Sequence, residues 1–333
     1  MTRTLGVALA LLLSTLSGMA SASAAPTRTV CVFSLTGVHG EPFDTMRDFA
    51  LASHALGAPL TLRPVTNERI AAEEFQAGQC DGALLTGMRA RQFNRFTGSV
   101  DAIGGLQDYD TLKMLFTALA RPELAARMRQ GPYEVAGLLP LGAAYIFLND
   151  RRINNVSKMA GKRLAVLEHD PAQQMMALRI GALPVPSDVS NFSNRFNNGA
   201  VDVIAAPAAA YMPLEIYRGV GATGAVVDLP VAQLSLQLVL RHERFPADYA
   251  NHTRAYFLDQ FSRALRLVEA AEDEMLFFFP PPDADRAAYD QLLDEARIAL
   301  TEAGHYDPLM MRLMKRVRCT REPDRAECTD DRE

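Results

Sequence analysis

Twice along this chain the residues run through the same order of strand, helix, strand, helix and strand signals, and that repeat constrains the fold more than any other feature. The first pass opens on Val30-Cys31-Val32-Phe33, a short β-rich apolar run. Met46, Phe49, Ser53 and Leu56 then recur at helical spacing, and Gly57 ends that helix. Leu60-Thr61-Leu62 reads as a strand, Ile70 to Gln76 as a helix closed by Gly78, and Cys80 to Leu85 as a strand again. In the second pass Leu164 to Leu167 is a strand, and Asp170-Pro171 starts a helix that Gly181 stops. Asp caps the free N–H groups there and Pro fits the first turn. Pro184-Val185-Pro186 reads as an edge strand, because Pro cannot donate to a ladder. Ser187 or Asp188 caps a helix that carries Val189, Phe192 and Phe196 and ends at Gly199, and Val201 to Ala205 is the last strand. The passes share a punctuation: in Gly78-Gln79-Cys80-Asp81 and in Gly199-Ala200-Val201-Asp202 a Gly stops a helix and an Asp enters a strand.

Two βαβαβ units imply an α/β fold of two similar lobes, each a parallel or mixed sheet flanked by helices. Ligands of open α/β sheets bind beyond the carboxyl ends of the strands, so facing lobes would line one cleft. Ala143 to Leu148 and Leu234 to Leu240 are apolar and β-rich and read as hinge crossings between the lobes. From Ala247 to Arg316 the pattern is helical, with Phe257, Phe261, Leu265 and Val268 in register. Phe277-Phe278-Phe279 and the prolines after it break that pattern, and this apolar knot either packs where two helices meet or docks a partner. The expected layout is a leader over 1–24, one lobe from 27–142 plus 241–318 with the C-terminal helices, a second lobe over 143–240, and a tail over 319–333.

The leader sets the expected compartment. Arg3, the apolar run Leu5 to Leu16 and Ala22-Ser23-Ala24 read as a secretory signal peptide, with cutting before Ala25 favoured over cutting before Pro26. The alternative is an N-terminal membrane anchor. No later stretch is apolar for long enough to span a bilayer, so no membrane insertion of the mature chain is expected. A net charge of −5 without a basic stripe argues against nucleic acid as a partner. Cys31, Cys80, Cys319 and Cys328 form an even set, as disulfides of an exported chain do, and of the three pairings Cys31–Cys80 with Cys319–Cys328 is favoured. The first would join the starts of two adjacent strands, and the second would staple a polar tail. With no CxxC spacing and six scattered His, neither a metal nor another cofactor is expected.

Met159-Ala160-Gly161-Lys162-Arg163-Leu164-Ala165-Val166-Leu167, the helix end running from Gln174 through Gly181-Ala182-Leu183-Pro184-Val185-Pro186, and Asn198-Gly199-Ala200-Val201-Asp202 together resemble the second lobe of TRAP-transporter solute-binding proteins of the DctP type. That family reads "lkGkkiR", then "lGa-pvp", then "GvvDg", in this order and spacing. The similarity is nearest to a group of solute-binding proteins without an assigned ligand. It implies a two-lobed periplasmic-binding-protein fold of type II-like form. It also implies a periplasmic receptor for a small molecule, an integral membrane transporter as partner, and closure about the hinges. The chain departs from the family where the chemistry lies. The family's carboxylate-clamping Arg falls at Ala165, and polar residues ending in Asn-Pro become Val203-Ile204-Ala205-Ala206-Pro207. An Arg–carboxylate fork is a strong bidentate contact that Ala cannot make. An apolar or amphipathic ligand is therefore expected. The alternative is an organic acid held by Arg89 or Arg91 as a relocated clamp.

Candidate ligand residues follow from strand ends. Ser34, Thr36 and Gly37 lie in the glycine-bearing loop after the first strand, where backbone N–H groups can approach a ligand or simply make a turn. Thr86, Arg89 and Arg91 follow the third strand; the arginines hold an acidic group, start a solvated helix, or pair across the lobes. His169 and Gln173 follow the first strand of the second lobe, Pro207 and Tyr211 its last, and Tyr145 and Phe147 sit on a crossing as an aromatic wall or as core. Gly219-Val220-Gly221-Ala222-Thr223-Gly224 fits GxGxxG, but a helix-like segment precedes it and a strand follows, the reverse of the dinucleotide fingerprint. No nucleophile elbow, HExxH or Walker loop occurs, so no enzyme is expected. Two rivals remain: an exported α/β enzyme using Glu168, His169 or Asp170, and an envelope adaptor that binds no small ligand.

Overall fold

β1 (Arg28–Phe33) pairs in parallel with β2 (Leu60–Val65) on one side and β3 (Gly82–Thr86) on the other, the crossovers being the helices Glu41–Ala55 and Glu68–Gln76. The computed structural model describes residues 25–275, 278–280 and 283–333, so the expected leader and Phe277 lie outside the described residues. Between the two βαβαβ units come β4 (Arg129–Gln130) and β5 (Tyr133–Leu148). The second unit contains β6 (Arg163–Leu167), β7 (Leu183–Ser187) and β8 (Val203–Pro207), with β6 parallel to both of the others. β9 (Ala225–Arg241) and the short β10 (Phe278–Phe279) complete a mixed sheet ordered β2-β1-β3-β9-β5-β8-β6-β7, with β4 on β5 and β10 on β9.

β5 and β9 are the members common to both halves. They pair antiparallel over nearly their whole length, β3 joining β9 at Leu236–Leu240 and β8 joining β5 at Ala144–Leu148. The two parallel units therefore attach at opposite ends of one antiparallel pair. Sequence predicts shorter crossings, Ala143 to Leu148 and Leu234 to Leu240, whereas β5 continues past the interruptions at Gly137, Pro140 and Gly142. In the structure the register shifts fall between Val135 and Gly137, Pro140 and Gly142, and Ala144 and Ile146, so the interruptions bend the strand rather than end it.

The helix expected from Ser187 or Asp188 begins later. Asp188 accepts a hydrogen bond from the Ser190 amide within a turn, and the helix runs only over Phe192–Asn197. The C-terminal third is helical, over Tyr249–Asp259, Phe261–Asp273, Asp283–Glu302 and Pro308–Arg321. Both favoured disulfides are present, Cys31–Cys80 bridging β1 to the entry of β3 and Cys319–Cys328 tying the last helix to the tail. No helix among the described residues is long and apolar enough to cross a membrane.

Candidate ligand cavity

The carboxyl ends of β1, β3, β6 and β8 converge on a cavity of about 520 Å³, which is where an open α/β sheet is expected to hold a ligand. Ser34, Thr86, Leu167 and Pro207 mark those four strand ends on its wall. The floor is the β5–β9 pair, through Ala144, Ile146, Ala232 and Leu234. Tyr289, Leu292 and Leu293 of the helix Asp283–Glu302 line a further side. Ala165 and Ala206 border the cavity but pack into the core that also holds Phe192 and Phe196, and among the described lining residues there is no Lys or Arg.

Of the residues singled out from sequence, Ser34, Thr36, Thr86, Gln173 and Pro207 line the cavity. Ser34 is 1% exposed and its Oγ has no hydrogen-bond partner. It sits under Gly40, where a Cβ would collide with the Ser34 and Thr36 hydroxyls. The Thr86 hydroxyl caps the short helix Gly87–Ala90 by accepting from the Arg89 amide. Gln173 Oε1 accepts from the Leu167 amide at 2.9 Å, and its Nε2 lies 3.3 Å from Met88 Sδ.

The other seven stand outside the lining, each for a physical reason. Gly37 holds a turn at φ +61°. Arg89 lies buried between Glu68 and Asp188, 3.6 and 3.8 Å away. Arg91 binds Asp170 at 2.9 Å with its guanidinium over the Tyr306 ring. Both arginines thus join the first βαβαβ unit to the second and do not enter the cavity. Tyr145 and Phe147 alternate with the lining residues Ala144 and Ile146, so they occupy the opposite face of β5. There Tyr145 bonds Glu272 at 2.9 Å and Phe147 stacks on Tyr211 at 5.8 Å, which removes Tyr211 from the wall as well. His169 Nε2 is buried without a partner, and burial together with the nearby Arg89 charge lowers its pKa to about 3.

The sequence reading missed several members of the wall. Met88 and Asp101 come from the segment between β3 and β5, and Tyr289, Leu292 and Leu293 from a helix far along the chain. Asp101 carried a signal: it is an acid set in the apolar run Val100 to Ile103. It is 3% exposed and accepts from the Ser235 amide at 3.2 Å and the Ser235 hydroxyl at 2.5 Å. Burial pushes its pKa up to about 7.

Residues 48–333 match the family model for Solute-binding protein AdeT 1/2. A protein of Acinetobacter baumannii named "Probable solute-binding protein AdeT1" is 39% identical over 299 residues, 89% of this chain and 98% of the relative. This chain belongs to the AdeT 1/2 solute-binding protein family. A second relative, "Probable solute-binding protein AdeT2" of the same organism, is 26% identical over 69% of this chain and 98% of its own length. The fold of this chain is that of TRAP periplasmic solute-binding proteins. The one from Ralstonia eutropha H16 with bound (S)-2-acetolactate superposes at TM-score 0.71 and 12% identity, over 88% of this chain and 98% of that one. The one from Desulfovibrio salexigens with bound orotic acid gives 0.70 at 16% identity, over 88% and 99%. The α/β class and the family resemblance read from the sequence both stand, and the AdeT chain is a solute-binding protein.

Proposed function

We propose that this chain is a periplasmic receptor that captures an apolar or amphipathic solute in the cavity and delivers it to an integral membrane transporter. The observation that carries the choice of solute is the wall itself. The similar structures hold orotic acid and acetolactate, both acids that ionise. A buried carboxylate is costly unless paired and hydrogen-bonded, and a bidentate Arg does both. Here the residue at the family's Arg position is Ala165, and Arg89 and Arg91 already face Glu68, Asp188 and Asp170. A largely apolar cavity with a few polar groups suits a ligand of the same make-up.

Capture would proceed by rotation of the two βαβαβ units about the β5–β9 pair, with the Arg91–Asp170 contact favouring the closed form. A ligand shifts that equilibrium only by its differential affinity for the two forms. The leader supports export, and cleavage before Ala25 is read directly from the mass of the mature protein recovered from the periplasm. Native mass spectrometry of that protein, then extraction and identification of what co-purifies, tests the solute class. An apolar or amphipathic compound bound at about one per chain supports the proposal. A small organic acid in its place overturns it.

A further inference from the structure

The cavity wall holds a charge imbalance. Two buried carboxylates, Asp101 and Asp170, lie on it, 3% and 4% exposed. One guanidinium, Arg91, is within electrostatic reach of both, and it is hydrogen-bonded to Asp170. Asp170 also accepts from the Ala172 amide as a helix cap. Among the described residues Asp101 accepts hydrogen bonds from the Ser235 amide and hydroxyl alone, and near it are Asp170, Tyr306 and the neutral Gln237, whose amide binds the Ser235 hydroxyl. Arg89 is occupied with Glu68 and Asp188. Gly87 packs so closely that a Cβ would strike both Asp101 and the Ser235 hydroxyl. One cation for two buried carboxyl groups leaves Asp101 without a counter-charge of its own beside an apolar space. A second unsatisfied group, the buried Ser34 Oγ, lies on the same wall.

We propose that the solute carries a protonated amine at one end of an apolar body, and that Asp101 receives it. This deepens the apolar-cavity reading and rests on it. An ammonium set against Asp101 supplies the missing counter-charge, donates hydrogen bonds to the carboxylate lone pairs that Ser235 leaves open, and places the hydrocarbon among Ile103, Leu234 and Leu293. A carboxylate solute meets repulsion at the same spot, and an alcohol meets no charge to answer. The pKa of about 7 at Asp101 agrees with a carboxylate short of a cation. Binding an ammonium there favours the ionised form, so the solute releases a proton near neutral pH.

The test is calorimetric titration of the mature protein with n-octylamine, n-octanol and octanoate, in the native chain and in Asp101→Asn. The inference expects octylamine to bind native protein about tenfold or more tighter than octanol, with octanoate weakest. Asp101→Asn should bring octylamine and octanol affinities to within about twofold of each other. Octanol binding with no preference for the amine, or a preference that survives Asp101→Asn, overturns this inference and leaves the apolar cavity standing. Failure of all three probes to bind native protein overturns both. Should the variant not fold, the native chain alone decides. With Asp101 titrating at about 7 and His169 already neutral, octylamine affinity should be roughly tenfold lower at pH 6 than at pH 8 while octanol affinity stays level, and the drop should persist in His39→Gln, which removes the exposed imidazole that also lines the cavity. Equal octylamine affinities at the two pH values overturn the inference.

Discussion

Arg91 Nη1 stands 2.9 Å from Asp170 Oδ1, joining the segment after β3 to the cap of the helix Pro171–Arg179 after β6. Both side chains are largely buried, 12% and 4% exposed. Truncating one member of such a pair leaves the other charged in low dielectric. Arg91→Ala should therefore cost about 3–5 kcal/mol in urea unfolding, and adding Asp170→Asn should recover part of that loss. A double variant no more stable than Arg91→Ala would show that the guanidinium contributes through Tyr306 and the Gly98 carbonyl instead.

Ala205 lines the cavity from β8, paired with Ile146 of β5, and is exposed. Enlarging a residue inside a filled core costs about 1–3 kcal/mol, whereas enlarging one into an open cavity should cost little stability. Ala205→Leu is expected to weaken octanol binding by about tenfold while the unfolding midpoint in urea hardly moves. Unchanged octanol affinity would place the ligand elsewhere.

The two βαβαβ units were legible because each helix ends at a glycine, and Gly57, Gly78, Gly181 and Gly199 all adopt positive φ in the structure. The cavity was legible only as a set of strand ends. Which face of β5 lines it was not, since strict alternation makes Tyr145 and Phe147 as plausible from sequence as Ala144 and Ile146. The arginines, read as a clamp, a helix start or an interlobe pair, form the interlobe pair. A strand end locates Arg89 and Arg91 near the cleft, but their acidic partners, Asp188 and Asp170, come from the other unit and become visible only once the units are brought together. Tyr289 to Leu293 reach the wall from a helix whose docking no local pattern encodes.

Two buried groups should give this protein opposing pH responses. His169, lowered to about 3, stays neutral when folded, whereas the unfolded side chain takes up a proton below about 6.5; its contribution is lost as pH falls. Asp101, raised to about 7, keeps its proton when folded, whereas the unfolded side chain releases it above about 3.9; its contribution is lost as pH rises. Each contributes a slope of at most about 1.4 kcal/mol per pH unit, and between about pH 4 and 6.5 the two oppose each other. Relative to the native chain, Asp101→Asn should gain stability from pH 4.5 to 6.5 and His169→Gln should lose it, as urea midpoints at the two pH values would reveal. Parallel responses in the two variants would refute the assignment.

The C-terminal tail is held by charge as well as by sulfur. Glu327 Oε2 lies 2.9 Å from Arg297 and 2.6 Å from Arg318, and Glu333 bridges the same two arginines at 2.8 and 2.9 Å. Both guanidiniums are buried and also donate to the carbonyls of Gly104 and Gly105, adjacent to the cavity residue Ile103. The Cys319–Cys328 disulfide closes a short loop whose last residue follows Glu327 directly, so it limits where that carboxylate can go. Replacing both cysteines by Ser should cost about 2 kcal/mol, and Glu327→Gln about 3 kcal/mol, in urea unfolding. If the disulfide acts by preorganising Glu327, the two losses overlap. In the Ser background the carboxylate must be ordered before it can pair, so Glu327→Gln should cost less there. Costs that add to within about 0.5 kcal/mol would mean that the disulfide and the ion cluster stabilise the tail independently.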